Sequence, residues 1–203
     1  MRPLYVRRTA CVTTRAARVN GEEIPVVATS DPFLTALYRR LGIDYPRFFK
    51  MDGLSKLGFL ASELLFWGDA SRFLPREDCA VICFSRTSSL DTDRRYQASM
   101  RDYPSPSLFV YTLPNIVTAE IAIRNKLYGE TSVYICETYN PHQIFRTIRN
   151  TFAHQPLRSA LAGWTEYDGD TGEAFLMQIE TQAASASEPL LSAGFLTTAK
   201  HNL

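Results

Sequence analysis

Histidine is scarce in this chain: His142, His154 and His201 are the only three in 203 residues. None falls in an H-E-x-x-H or comparable pattern. Cys79 and Cys83 lack the C-x-x-C spacing and have no histidine near them. No metal site is therefore expected, and no cofactor. Of the four cysteines, Cys11, Cys79, Cys83 and Cys136, three sit in apolar strand-like runs and read as small hydrophobes. Charge of one sign is also missing: 22 basic and 21 acidic residues leave a net +1. That removes the electrostatic case for nucleic acid or an anionic membrane. The pairs Arg7-Arg8, Arg39-Arg40 and Arg94-Arg95 are scattered and read as solvated faces. No apolar run approaches the roughly 18 residues of a membrane span. The basic start MRPLYVRRTA is not followed by an apolar segment, so it does not read as a signal peptide, and cytoplasm is the expected compartment.

What is present is apolar material, 45% hydrophobic and 12% aromatic, enough for one large domain or one domain with a tail. Leu4 to Thr14 reads as a strand. Asn20-Gly21 is a turn signal joining Ala17–Val19 to a short strand over Ile24–Val27. Asp31-Pro32 opens a helix through Phe33, Leu37 and Leu41, which Gly42 ends. Met51 to Phe66 is a second helix, with an apolar stripe of Leu54, Leu57, Ala61, Leu64 and Leu65. Gly58 costs that helix propensity, so another element is expected to approach closely there. DCAVICF, Asp78 to Phe84, is the continuous apolar run of a strand buried on both faces of a parallel sheet. The polar connection from Ser85 to Pro106 is long enough to be functional or to hold a short helix. A third helix follows Leu113-Pro114-Asn115, and Glu120 and Arg124 on it have the i,i+4 spacing of a surface salt bridge. Ser159–Trp164 and Ala174–Ile179 flank a turn at Asp168–Gly172. Beyond Gln182 the chain is Ala/Ser-rich, which gives a domain over residues 1–182 and a flexible or partner-ordered tail over 183–203. Strands alternating with helices predict an α/β fold: a mixed, mostly parallel five-stranded sheet with helices packed on both faces.

The stretch from Gly129 to Asn150 organises the rest. Val133 to Cys136 is a short buried-strand run, and Asn140-Pro141 supplies an N-cap and a proline at the first helical position. Ile144, Phe145, Ile148 and Phe152 then recur at helical spacing. A strand feeding straight into a helix N-terminus is where α/β proteins place nucleophiles and bind anions. Cys136-Glu137-Thr138 is therefore the first candidate for an active site.

Several blocks resemble the N-terminal half of β-ketoacyl-acyl-carrier-protein synthases. MDGLSKLGFLASELL is similar to that family's Met-Asp helix. CAVICFSRTSSLDTD is similar to its strand and Gly-Ser-x-x-Gly-Gly loop. SPSLFVYTLPNIVTAEIAIRNKLYGE is similar to its Pro-x-x-x-x-Asn helix segment, and SALAGWTE to its Ala-Gly-Gly-x-Glu strand. The family pattern runs from a Gly through Thr-Ala-Cys to Ala-Gly-Gly-x-Glu. It lies without a gap on Gly129 through Ala162-Gly163-Trp164-Thr165-Glu166 and puts Thr138 where the nucleophilic cysteine stands. Cys136 falls two residues early, about 6–7 Å away along a strand. A threonine hydroxyl is not activated by a helix N-terminus as a thiol is, and Glu137 beside Cys136 would raise a thiol pKa. Cys136 therefore reads as a buried structural residue. The histidines, or His and Asn, and the lysine of active synthases lie in the second half of a chain about twice this length. His142 and His154 read as exposed polar positions, and His201 has no Gly-Thr-Gly-Thr around it.

The resemblance implies a thiolase-like half-fold covering residues 1–182, and a subunit of chain-length-factor type that lacks the catalytic cysteine. Such a subunit pairs with an active ketosynthase, meets the acyl carrier protein indirectly, and shapes the tunnel into which an acyl chain grows. Pairing would run through strand 131–136, with Val133 and Ile135 at the interface. The segment Leu108 to Asn115, with Phe109, Tyr111, Leu113 and Asn115, would reach toward the tunnel. Two alternatives stay open at this point: a minimal 3-oxoacyl-ACP synthase or acyltransferase using Cys136, and a homodimeric binder of an acyl chain or small aromatic.

Overall fold

β4, Cys79–Ser85, is buried at every residue because it is an inner strand of the sheet, covered on both faces. The computed structural model describes residues 2–201, apart from the side chain of His201. Around β4 the sheet has seven strands in the order β3-β2-β1-β7-β6-β4-β5. These are β1 Tyr5–Thr13, β2 Ala17–Val19, β3 Glu22–Glu23, β5 Thr131–Ile135, β6 Ser159–Tyr167 and β7 Gly172–Glu180. β4 runs parallel to β5 and β6, and the other four pairings are antiparallel. The mixed α/β sheet is as expected, but it has seven strands rather than five and is not mostly parallel. β1 pairs antiparallel with β7 of the closing hairpin, and β2 and β3 extend that edge. The strand read at Ile24–Val27 is instead the two-residue β3. Asn20 (φ 51°) and Gly21 (φ 84°) turn the chain so tightly that the ladder closes at Arg18–Glu23.

Alternation along β4 sends Val81 and Cys83 to one face of the sheet, and Ala80, Ile82 and Phe84 to the other. The first face is packed by α1 (Phe33–Arg40), α2 (Gly53–Leu65) and α5 (Ile116–Asn125). The second is packed by α6 (Pro141–His154) and α7 (Ala193–His201). The carboxylate of Asp52 caps α2 by accepting from Ser55 N at 2.9 Å. At its other end Arg8 donates to the carbonyls of Leu65 (3.0 Å) and Trp67 (2.9 Å). A Cβ on Gly58 would stand 2.5 Å from Val117 Cγ2, so α5 is the element that approaches there. The polar connection after β4 contains α3, Leu90–Ser99, and leads to α4, Pro106–Val110.

One expectation is corrected by packing. Glu120 and Arg124 do not form a surface pair. Glu120 is 2% exposed and accepts from Arg47 Nη2 (2.9 Å) and the Tyr111 hydroxyl (3.2 Å), while Arg124 Nε donates to the buried Glu63 (2.9 Å). α5 is wedged between α2 and the 46–50 turn, so its polar residues bond across elements rather than along the helix. Part of the segment after residue 182 lies against the domain. Leu191 and Leu196 are buried in the second core, Leu191 N donates to Leu4 O (2.8 Å), and Lys200 pairs with Glu173.

Candidate functional site at the end of the edge strand

The candidate turn lies where β5 ends and α6 begins. β5 enters from Gly129, whose missing Cβ lets the chain pass directly over the Cys79 carbonyl. After Ile135, Cys136 N donates to Ser85 O at 2.8 Å, and this holds the end of the strand against β4. Glu137 and Thr138 then bend away and are exposed. Asn140 Oδ1 accepts from Gln143 N at 3.0 Å and starts α6, with Pro141 at its first position. The strand–turn–helix read from the sequence is present as expected.

Beside this turn lies the loop that follows β4, and Glu166 holds it. Its carboxylate accepts from Arg86 N (2.7 Å), Thr87 N (3.0 Å) and the Thr87 hydroxyl. A carboxylate taking two backbone donors fixes a loop that has no regular structure to satisfy it. The Ala-Gly-x-x-Glu block thus has two physical reasons. Gly163 is needed because a Cβ there would collide with the Phe175 carbonyl across β6–β7, and Glu166 is the clasp of the 85–89 loop.

Cys136 is 7% exposed and belongs to the second core with Ile144 and Trp164. Burial pushes its thiol above the usual cysteine range, which disfavours the thiolate a nucleophile needs. Its weak contact runs to Tyr134 O at 3.9 Å, and no basic side chain bonds it among the described residues. Cys11 and Cys79 are pushed up to about 11 and Cys83 to about 12 by the same desolvation. Thr138 is exposed, and its hydroxyl makes no hydrogen bond among the described residues. His142 and His154 are exposed on α6. Among the described residues no group of three His, Cys, Asp or Glu side chains could hold a metal ion, and no helix is long and apolar enough to cross a membrane.

β5 itself is not the buried strand the sequence suggested. It pairs only with β4, and its other edge is open. Tyr134 stacks on Phe84 (5.3 Å between centroids) yet stays 36% exposed, and Ile135 is 57% exposed. Val133 is half-buried and leans on the first core. α5 packs beside the strand, and Ile123 at its outer face is exposed. The structure does not bring residues 108–115 to this strand as an alternating run. They form α4 and the turn into α5. Tyr111 points into the core and donates to Glu120, and burial and that carboxylate raise its phenol pKa. Phe109 lies against Tyr96 of α3 at 5.4 Å, Leu113 is exposed, and Asn115 stands exposed before α5 with no side-chain cap bond.

One participant was missed in the sequence. Tyr139 meets Trp164 edge-on (5.6 Å, 83°) and donates to Leu196 O at 3.0 Å, so it ties the turn to α7. The only signal was an aromatic one residue before the Asn-Pro start of α6.

No family model matches the chain, and no curated protein matches it in sequence. Solved structures do resemble it. The ishigamide ketosynthase/chain length factor aligns over 93% of this chain and 64% of its own, with TM-score 0.65 and 18% identity. The ketosynthase (ApeO) in complex with its chain length factor (ApeC) from Xenorhabdus doucetiae aligns over 90% and 80%, with TM-score 0.54 and 10% identity. A β-ketoacyl synthase from Burkholderia phymatum STM815 aligns over 89% and 59%, with TM-score 0.57 and 12% identity. The chain therefore spans about two thirds of the length of the first of these. At such identities the likeness is one of fold: this is the thiolase-like α/β fold of ketosynthases and chain length factors.

Proposed function

We propose that the chain is a chain-length-factor-type subunit that carries out no condensation itself and pairs through β5 with an active ketosynthase in acyl or polyketide chain elongation, in the cytoplasm. The observation that carries this reading is the state of the turn. Its strand, helix cap and Glu166 clasp are kept, while the thiol present, Cys136, is buried with its pKa pushed up. Condensation needs an accessible thiolate at the helix N-terminus. Thr138, which takes that position in the ungapped register, has no base bonded to it among the described residues. A turn that keeps its scaffold without the nucleophile suits a subunit valued for shape. The open apolar edge of β5 suits one that is paired, since a bare strand of this kind invites aggregation.

Two measurements test the proposal. The purified chain should take up no label from radiolabelled malonyl or acyl carrier protein. Uptake that is lost in Cys136→Ala would instead support the minimal condensing enzyme. Co-expression with a ketosynthase and native mass measurement should yield a heterodimer. A homodimer that ignores the synthase would overturn the proposal in favour of a self-contained binding protein.

A further inference from the structure

A second feature lies at the far side of the sheet from β5. The outer edge of β1 is covered in two places and open between them. At its start, residues 189–191 run along it: Val6 N donates to Pro189 O (2.9 Å) and Leu191 N to Leu4 O (2.8 Å). Further on, Thr9 bonds Asn20 twice, through Thr9 N to Asn20 Oδ1 (2.9 Å) and Asn20 N to Thr9 O (2.9 Å), and β2 takes over from Ala10. Arg7 and Arg8 lie between these clasps, where a bulge shifts the β1–β7 register between Val6 and Arg8. A cleft of about 510 Å³ opens at this gap, under the 185–189 segment and α7.

Its apolar lining comes from Val6 and Phe175, both buried sheet residues, and from Phe195 and Ala199 of α7. Its charged lining is Arg7, Arg8 and Glu188. Arg8 is already engaged, since its guanidinium caps α2. Glu188 accepts from Ala184 N at 3.0 Å and so braces the segment it belongs to. Arg7 is exposed and makes no close ion pair or hydrogen bond among the described residues, though its charge acts on Glu180, where it partly offsets the burial that raises that carboxyl.

We infer that this cleft binds a small monocarboxylate with an aromatic or short aliphatic body, its head on Arg7 and its body against Phe175, Phe195 and Ala199. The volume lies in the range of small-molecule sites and is far too small for a folded partner. A guanidinium beside an apolar wall recognises a carboxylate by charge-assisted hydrogen bonds. Glu188 on the same cleft, and Glu180 near Arg7, oppose a doubly charged head such as phosphate more strongly than a single carboxylate. The inference does not depend on the role of β5 or of Thr138.

The test is isothermal titration of the whole chain with octanoate, and with 1-octanol and octyl phosphate as probes of the head group. Octanoate should bind saturably at one site, and octanol and octyl phosphate about tenfold or more weaker, the scale of a charge-assisted bond. Arg7→Gln, a surface change that keeps the fold, should weaken octanoate to a similar extent. Ala199→Trp should abolish binding, with circular dichroism confirming that α7 remains. Ile135→Lys, on the opposite edge, should change nothing. No saturable binding would overturn the inference. So would binding that survives both cleft variants, or that is lost only in Ile135→Lys.

Discussion

Replacing Ile135 by lysine tests the edge of the sheet most directly. Ile135 keeps 57% of its surface in the isolated chain. Fully burying an aliphatic side chain is worth roughly 1.5–3 kcal/mol, so covering what remains would contribute about 1–1.5 kcal/mol to association. Lysine loses that contribution and places a charge at an apolar edge, where an unpaired charge costs about 2 kcal/mol or more. Together these give about 3 kcal/mol, or roughly a hundredfold in dissociation constant. The assay is sedimentation velocity on the chain mixed with the ketosynthase proposed to pair with it, with Val27→Lys as control. Val27 is 79% exposed and far along the chain from β5, so its variant carries the same charge without touching the edge. Ile135→Lys should dissociate the complex at concentrations where Val27→Lys does not. A complex of unchanged affinity would refute β5 as the pairing surface, whatever the partner proves to be.

Three further outcomes are expected. A double-mutant cycle by urea unfolding should give Glu120 and Arg124 a coupling below about 0.5 kcal/mol. Glu120 and Arg47 should couple by about 0.5–1 kcal/mol, reduced because the Arg47 side chain is half in water. Gly163→Ala should cost more than about 3 kcal/mol in thermal or urea unfolding, because its Cβ meets the backbone of β7; Gly58→Ala should cost less, because there the obstacle is a side-chain methyl of Val117. Stability should also fall at alkaline pH. The folded thiols of Cys79 and Cys83 sit at about 11 and about 12 against an ordinary 9.0, so their contribution is complete below pH 9 and is lost as pH rises through the folded values. Cys79→Ala and Cys83→Ala should flatten the loss measured by denaturation between pH 8 and 11, and an unchanged slope would contradict it.

The elements were legible in the sequence where local signals carried them. The apolar run of β4, the Asn-Pro start of α6, and Gly58 as a point of close approach all follow from nearest neighbours in the chain. Pairing was less legible. Nothing within Leu4 to Thr14 says that its partner is β7, and that pairing, together with β2 and β3 beyond it, makes a sheet expected to be mixed and mostly parallel mostly antiparallel. Polar partners were least legible. The i,i+4 spacing of Glu120 and Arg124 is a real local signal, but α5 is buried on the side that carries Glu120, so both residues found partners more than 60 positions away. Likewise the hydrophobic character of Val133 to Cys136 was read as burial, when only Cys136 of the four is buried. An apolar strand in an interior and one at an interface have the same composition.

The two ends of the sheet bear on which of those β5 resembles. The other edge strand, β3, is two residues long, and both are exposed glutamates. Short length and charge are the means by which proteins keep an edge from pairing with another chain. β5 has neither. It is five residues long, contains no charged side chain, and ends on the exposed pair Tyr134 and Ile135. A protein that blunts one edge and leaves the other open and apolar is not simply careless of edges, because the same sequence solved the problem once. The asymmetry argues that the open edge is covered in use. On the proposed reading, the helix cap of the turn after β5 and its clasped neighbouring loop fix where the strand ends, and pairing across an edge depends on that register residue by residue.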